Sequence, residues 1–374
     1  MLTLHGLIDP HVHLRDPGQT QKEDFYTGTV AALAGGYTTI LDMPNNKVPI
    51  TTLARLEEKI AIAKQKIVCD VGFYFGSTGD NLGEFEKVKN KVMGLKLYLN
   101  ETTGNLIIDK KLLEKIFIKW SQSMSLRSGI LSTKNVKPIL VHAEGKRVEH
   151  VINVVKSIKI PTHFCHISLA SELKIIIKAK EENLPVTCGV TPHHLFLTEN
   201  DIKTLGPFGK MKPALRTKKD VAFLWNNINL IDVIESDHAP HTIREKNVQT
   251  RFERGRQTQF VSPFGVPGLE TTLPLLLTAV SQKRLTIEDV IRLCFENPSR
   301  IFCSSKNCDA TIEVDLYKSY TIENKNLFTK CHWSPFDGWK VKGKVQRVWI
   351  RGVKVFDDGK VLIKPGFGKV LTEA

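Results

Sequence analysis

The sequence contains no apolar run approaching the ~20 residues that a membrane-crossing helix needs. Its opening residues, MLTLHGLIDP, lack the basic and then long apolar pattern of a secretory signal, so a cytoplasmic protein is expected. It also lacks any CxxC pair. The seven cysteines, at 69, 165, 188, 294, 303, 308 and 331, are odd in number and scattered, which fits reduced thiols serving mostly as small core residues, not a disulfide framework. No nucleic-acid-binding motif accompanies the formal charge of +14, whose lysines are spread along the chain. The expectation is a solvated basic surface with no nucleic-acid or membrane partner, one that helps to gather an anionic substrate. No internal repeat or low-complexity tract stands out.

What is present is the composition of a globular protein able to bury a large core: 374 residues, 41% hydrophobic and 25% charged. Short apolar, β-branched runs recur over 6–12, 37–43, 68–75, 92–99, 138–143, 160–165, 185–190 and 229–236. Between them, 52–66, 111–120, 146–158, 170–182 and 218–228 space apolar residues by three and four among lysines and glutamates, the signature of amphipathic helices. A strand–helix unit repeated eight times predicts an α/β fold, the (β/α)8 TIM barrel, over residues 5–303. Helices are expected at 269–283 and 287–302. The alternating tail, as in VQRVWIRGVKVFDDGKVLI, predicts a small β-rich appendage over 304–374, packed with the N-terminus. Two stretches, 121–137 and 243–264, read as insertion loops.

Chemistry in such a barrel sits at the C-terminal ends of the strands. His11 and His13, two apart on the first strand, project from one face and can grip one ion, although the pair alone is equally well two ordinary histidines. His142 and His166 end the fifth and sixth strands and Asp237 ends the eighth, so five candidate ligands converge on one mouth. Imidazoles and a carboxylate suit zinc and similar divalent ions. Lys96, among the apolar residues of GLKLYLN, would carry a large desolvation cost as a bare ammonium and needs either an ion-pair partner or a modification. A deprotonated amine there could take up carbon dioxide to give an anionic carbamate able to bridge two metal ions.

The segments DPHVHLR, MPNN, GLKLYLNE, VHAE, CHIS, TPHHLFL, SDHAPHT, GVPGLETTLPLLL and HWSPFDGWKVKGKV, in this order and over nearly the whole chain, resemble the dihydroorotases of the amidohydrolase superfamily. The likeness extends to the dihydroorotase domain of the animal multifunctional pyrimidine-synthesis protein and to its prokaryotic relatives. It implies a zinc enzyme that interconverts N-carbamoyl-L-aspartate and L-dihydroorotate in de novo pyrimidine synthesis. It further implies that His11, His13 and Asp237 hold one zinc, His142 and His166 a second, and N6-carboxylated Lys96 bridges them. Arg15, Asn45, His241 and Thr102 are implied in substrate binding, and Asp237 as the general base and acid. A homodimer and association with aspartate transcarbamoylase are also implied.

Some animal relatives hold a further metal through the Cys before the sixth-strand His and a Glu of VTCEV. Here Cys165 is kept but the second position is Gly189, so two metals are expected. Thr103 stands where the family often has Phe, and Lys212 where animal relatives have an Arg. The N-terminal β segment of many bacterial relatives is expected to be short or missing. His193, His194 and His238 are read as shaping the barrel rim, and His5, His150, His163 and His332 have no partner motif. Two alternatives remain open: another cyclic amidohydrolase, such as a dihydropyrimidinase, hydantoinase or allantoinase, and a non-catalytic dihydroorotase-like scaffold for aspartate transcarbamoylase. A carboxylate clamp of Arg15, Asn45 and His241 favours dihydroorotate over rings that lack the anion.

Overall fold

The computed structural model describes residues 1–101, 106–124, 136–247, 249–250, 259–260, 262–303 and 309–372. Eight parallel strands form the barrel: β2 (Leu7–Val12), β3 (Tyr37–Asp42), β4 (Asp70–Gly76), β5 (Gly94–Tyr98), β6 (Ile139–His142), β7 (Thr162–Phe164), β8 (Val186–Val190) and β9 (Val233–Ile234). They neighbour one another in sequence order, each joined to the next by a helix-containing crossover. Seven of the eight expected runs contain one of these strands, and the third, 68–75, covers all of β4 but its last residue, Gly76. The last is the most shortened, to two residues, its first part being taken up by a 3-10 turn over Ile228–Leu230.

The seam between β2 and β9 is closed by side chains and by one bridge, Val12 with His238. The Asp9 carboxylate accepts from the backbone N–H groups of His11 (3.1 Å) and Ser236 (3.2 Å), tying the first strand to the last just beneath the barrel mouth. Outer helices bury the faces that the periodicity marks. Leu53–Lys66, N-capped by Thr52, buries Leu56, Lys59, Ile60 and Ala63 at helical spacing. The expected helix 287–302 is interrupted by a π turn over Arg292–Glu296 between Ile287–Ile291 and Asn297–Phe302. Pro298 explains the interruption, since it has no N–H and its ring crowds the carbonyl one turn earlier.

A short ribbon, β10 (Gln249–Thr250) with β11 (Gln259–Phe260), precedes the C-terminal helices. A second, antiparallel sheet runs β1 (Leu2–His5), β12 (Ala310–Thr321), β13 (Lys340–Ile350), β14 (Val353–Asp357) and β15 (Lys360–Val361). Leu2–His5 is therefore an edge strand of the appendage, paired with β12. Arg351 fixes this sheet to the barrel through Asp70 (2.7 and 2.9 Å), and Val370 bridges to Val71 of β4. No helix among the described residues is long and apolar enough to cross a membrane.

Candidate metal centre and active site

The alternation of β2 sends His11 and His13 to the same side, and both meet one carboxylate across the seam with β9. His11 Nε2 lies 3.4 Å and His13 Nε2 3.0 Å from Asp237 Oδ1. The outer nitrogens are held from behind: His11 Nδ1 faces Glu235 Oε2 at 3.0 Å, and His13 Nδ1 faces Asn45 Oδ1 at 2.6 Å. Each ring thereby has an acceptor that favours Nδ1–H and leaves the Nε2 lone pair toward Asp237.

His142 and His166, from the ends of β6 and β7, form the other half, with His142 Nδ1 3.0 Å from His166 Nε2. Glu144 lies 3.3 Å from His142 Nε2 and is itself fixed by Arg216 at 2.9 Å. The halves adjoin, with the His11 and His166 rings 5.1 Å apart. His166 and Asp237, like Arg15, are non-glycine residues with positive φ, a strain that surrounding structure must sustain and that concentrates at functional sites.

Lys96 is fully buried on β5, with its Nζ 2.9 Å from Cys165 Sγ and 5.2 Å from the centre of the Tyr98 ring. Its charge acts on His11, His13, His142, His166 and Asp237 alike, so it faces both halves of the cluster. Among the described residues it makes no ion pair, which removes the structural salt bridge as an account of its burial.

Burial lowers all four imidazoles, His11 to about 4, and so keeps their lone pairs free of protons. Burial raises the Asp237 carboxyl, against the pull of His11. Burial also acts to raise Glu235, but the imidazoles of His11 and His163 outweigh it and hold that carboxyl well below the usual range. The Cys165 thiol is pushed up to about 12 by burial, which makes it an inert neighbour, not a nucleophile. Neutral imidazoles, two convergent carboxylates and the orphaned, buried His166 Nδ1 are a donor set that fits divalent metal ions. The set His11, His13 and Asp237, with ligand atoms within 4.8 Å of one another, is one candidate; His11, Cys165 and Glu235 is another.

Beside the cluster a small pocket is lined by His13, Arg15, Asn45, Lys212, Asp237, Ala239, Phe264 and Gly265. Arg15 Nη2 lies 3.2 Å from His241 Nε2, and its Nε donates to the Pro240 carbonyl at 3.1 Å. Burial and the cations Arg15 and Lys22 hold His241 neutral. The structure thus brings together every site residue expected from the sequence except Thr102, which with Thr103 lies outside the described residues. Asn45 lines the pocket but also steadies His13, a second task the motif does not reveal.

His194 bridges Thr191 and the Pro213 carbonyl, and His238 accepts from the Gly268 N–H at 3.1 Å; both hold loops and do not join the cluster. Sequence reasoning missed Glu235 and Lys22. Glu235 stands two before Asp237, so strand alternation was the available signal. Lys22, buried with its Nζ 3.1 Å from His241 Nδ1, lies in GQTQKED, where no spacing marks it.

The amidohydrolase family model matches residues 3–355. The chain is 43% identical over 373 residues to the multifunctional protein CAD of Squalus acanthias, covering 99% of this chain and 16% of that protein. It is 37% identical over 372 residues to a dihydroorotase of Pyrococcus furiosus, covering 97% of this chain and 83% of the relative. Among solved structures, an L-hydantoinase (dihydropyrimidinase) from Arthrobacter aurescens superposes with a TM-score of 0.88 at 24% identity, covering 99% of this chain and 89% of that one, a likeness of fold. The inactive dihydroorotase-like domain of a Chaetomium thermophilum CAD-like multifunctional protein superposes with a TM-score of 0.80 at 26% identity, covering 99% of both chains.

Proposed function

The chain belongs to the amidohydrolase family, and from that membership we propose that it is a dihydroorotase, cyclising N-carbamoyl-L-aspartate to L-dihydroorotate and reversing the reaction, in de novo pyrimidine synthesis. The relative of 37% identity named dihydroorotase supports this reading over nearly the full chain. The observation that carries it is Arg15, which lines one pocket with Asp237 and Lys212 and lies 3.2 Å from His241 Nε2 just behind it. Dihydroorotate bears a carboxylate on its ring, and dihydrouracil does not. A buried guanidinium with a neighbouring imidazole selects for that anion, because a substrate lacking it leaves the cation unpaired.

In this reading His11, His13 and Asp237 would hold one zinc ion, His142 and His166 a second, and carboxylated Lys96 would span them. Bound there, the ions would supply an acidified water and a polarised ring carbonyl. The protein's own groups do the rest. Arg15, Asn45 and His241 seat the substrate carboxylate, and Lys212, 5.3 Å over the Phe264 ring, adds charge at the pocket wall. Asp237 takes the proton from the attacking water and returns it to the ring nitrogen as the amide opens. Ring closure runs the same transfers backwards. We read the protein as a cytoplasmic homodimer able to associate with aspartate transcarbamoylase, with no nucleic-acid or membrane partner. Light scattering and co-elution measurements check the dimer and the association.

The deciding experiment assays purified, zinc-replete protein on dihydroorotate, dihydrouracil and allantoin, with metal content measured on the same sample. The expected result is turnover of dihydroorotate with two ions per chain, and a carbon dioxide adduct on Lys96 by mass spectrometry. Preference for dihydrouracil would overturn the substrate assignment. Because an inactive domain is among the similar folds, the rival is a scaffold; full metal content with no turnover would establish it.

A further inference from the structure

The carboxylate of Glu235 is fully buried, and it touches both halves of the cluster at once. Oε2 lies 3.0 Å from His11 Nδ1 and 3.7 Å from His163 Nε2, while Oε1 accepts from the backbone N–H of His166. The space it fills exists because residue 189 has no side chain: a Cβ on Gly189 would lie 2.5 Å from Oε1 and 2.6 Å from Cδ. Glu235, from the segment just past β9, thus occupies the space beside Gly189.

The geometry points to Glu235 as a positioning residue, which fixes His11 as the Nδ1–H tautomer and clamps the left-handed backbone of His166, with Gly189 as the residue that admits it. It rests on the reading that His11 and His166 are metal ligands. A ring free to turn, or protonated at Nε2, would offer no lone pair beside Asp237. One carboxylate with two oxygens secures one ligand in each half. Glutamine at 235 can accept from only one of the two donors and must turn its amide toward the other. The competing role is direct ligation of a further ion with His11 and Cys165, which would require the Nδ1–H to be lost.

The test is zinc affinity measured by chelator competition on Glu235→Ala, Glu235→Gln and Gly189→Ala, without substrate, alongside zinc stoichiometry and urea midpoints. Loss of an orienting acceptor weakens metal binding by about 10–100-fold, and that range is expected for Glu235→Ala, with a smaller loss of the same sign for Glu235→Gln. Gly189→Ala, which alters no acidic group, is expected to weaken zinc binding too, by displacing the carboxylate. Under saturating zinc the KM for dihydroorotate should stay unchanged. Unaltered zinc affinity in both Glu235 variants overturns the inference, as does a third zinc in the wild type that Glu235→Ala removes. Absence of dihydroorotase turnover leaves the zinc readout standing, so the two failures are distinguishable.

Discussion

Lys59 sits fully buried in an outer helix, yet its Nζ reaches Asp42 Oδ2 at 2.7 Å, the Met43 carbonyl at 2.9 Å and Asn46 Oδ1 at 2.8 Å. Asp42 in turn accepts from the Leu14 N–H at 2.8 Å. This one pair therefore holds both the HVHLR segment and the MPNN turn. Lys59→Met keeps the stem and deletes the ammonium, leaving Asp42 buried and uncompensated. Removing one partner of a buried pair typically costs about 3–5 kcal/mol, and the stranded Met43 carbonyl and Asn46 amide place the effect toward the upper end. Urea unfolding of the metal-loaded protein, followed by near-ultraviolet circular dichroism, measures it. Adding Asp42→Asn should recover about 1–3 kcal/mol, since the isolated charge is then gone. The KM for dihydroorotate should rise in the single variant because Arg15 and Asn45 adjoin the loosened segments. A loss below about 1 kcal/mol for Lys59→Met, or strict additivity in the double variant, would refute the coupling.

Two further outcomes follow from the same structure. Arg15→Lys keeps the charge but loses the planar fork, so KM should rise on the order of 10-fold with kcat little changed; an equal fall in kcat instead would place Arg15 in transition-state chemistry. Glu270, half-buried beneath the Phe328–Thr329 turn, is raised from 4.5 to about 8 by burial, against the two backbone N–H groups it accepts from. Its folded form holds a proton that the unfolded chain has already released, so wild-type stability should fall as pH rises from about 4.5 to about 8, relative to Glu270→Gln. Urea midpoints of both proteins across that window check the sign, and a flat or rising difference contradicts it.

The residues that enter the cluster were readable because chemistry at a barrel mouth comes from strand ends, where HVH, VHAE, CHIS and SDHAPH stand out as polar breaks in apolar runs. Lys96 was readable for the opposite reason, as a charge inside an apolar strand. The same logic, applied to the polar residue just past β9, would have reached Glu235, two before Asp237. Gly189 was legible as a missing carboxylate, but not as the residue beside which Glu235 finds its space. Nothing local marked Lys22 or the second task of Asn45.

By itself, the sequence determined the eight-strand rhythm, the β-rich tail and the identity of the cluster, because periodicity and strand-end polarity are properties of neighbouring residues. Only the tertiary structure decided which nitrogen of each histidine faces Asp237 and the register in which β1 pairs with β12. It alone also shows Lys59 tied to Asp42, and Glu235 holding both halves of the site. Those facts depend on distances between residues far apart in the chain. His11 and Glu235 are separated by 224 positions, and only closure of the barrel brings their side chains to 3.0 Å.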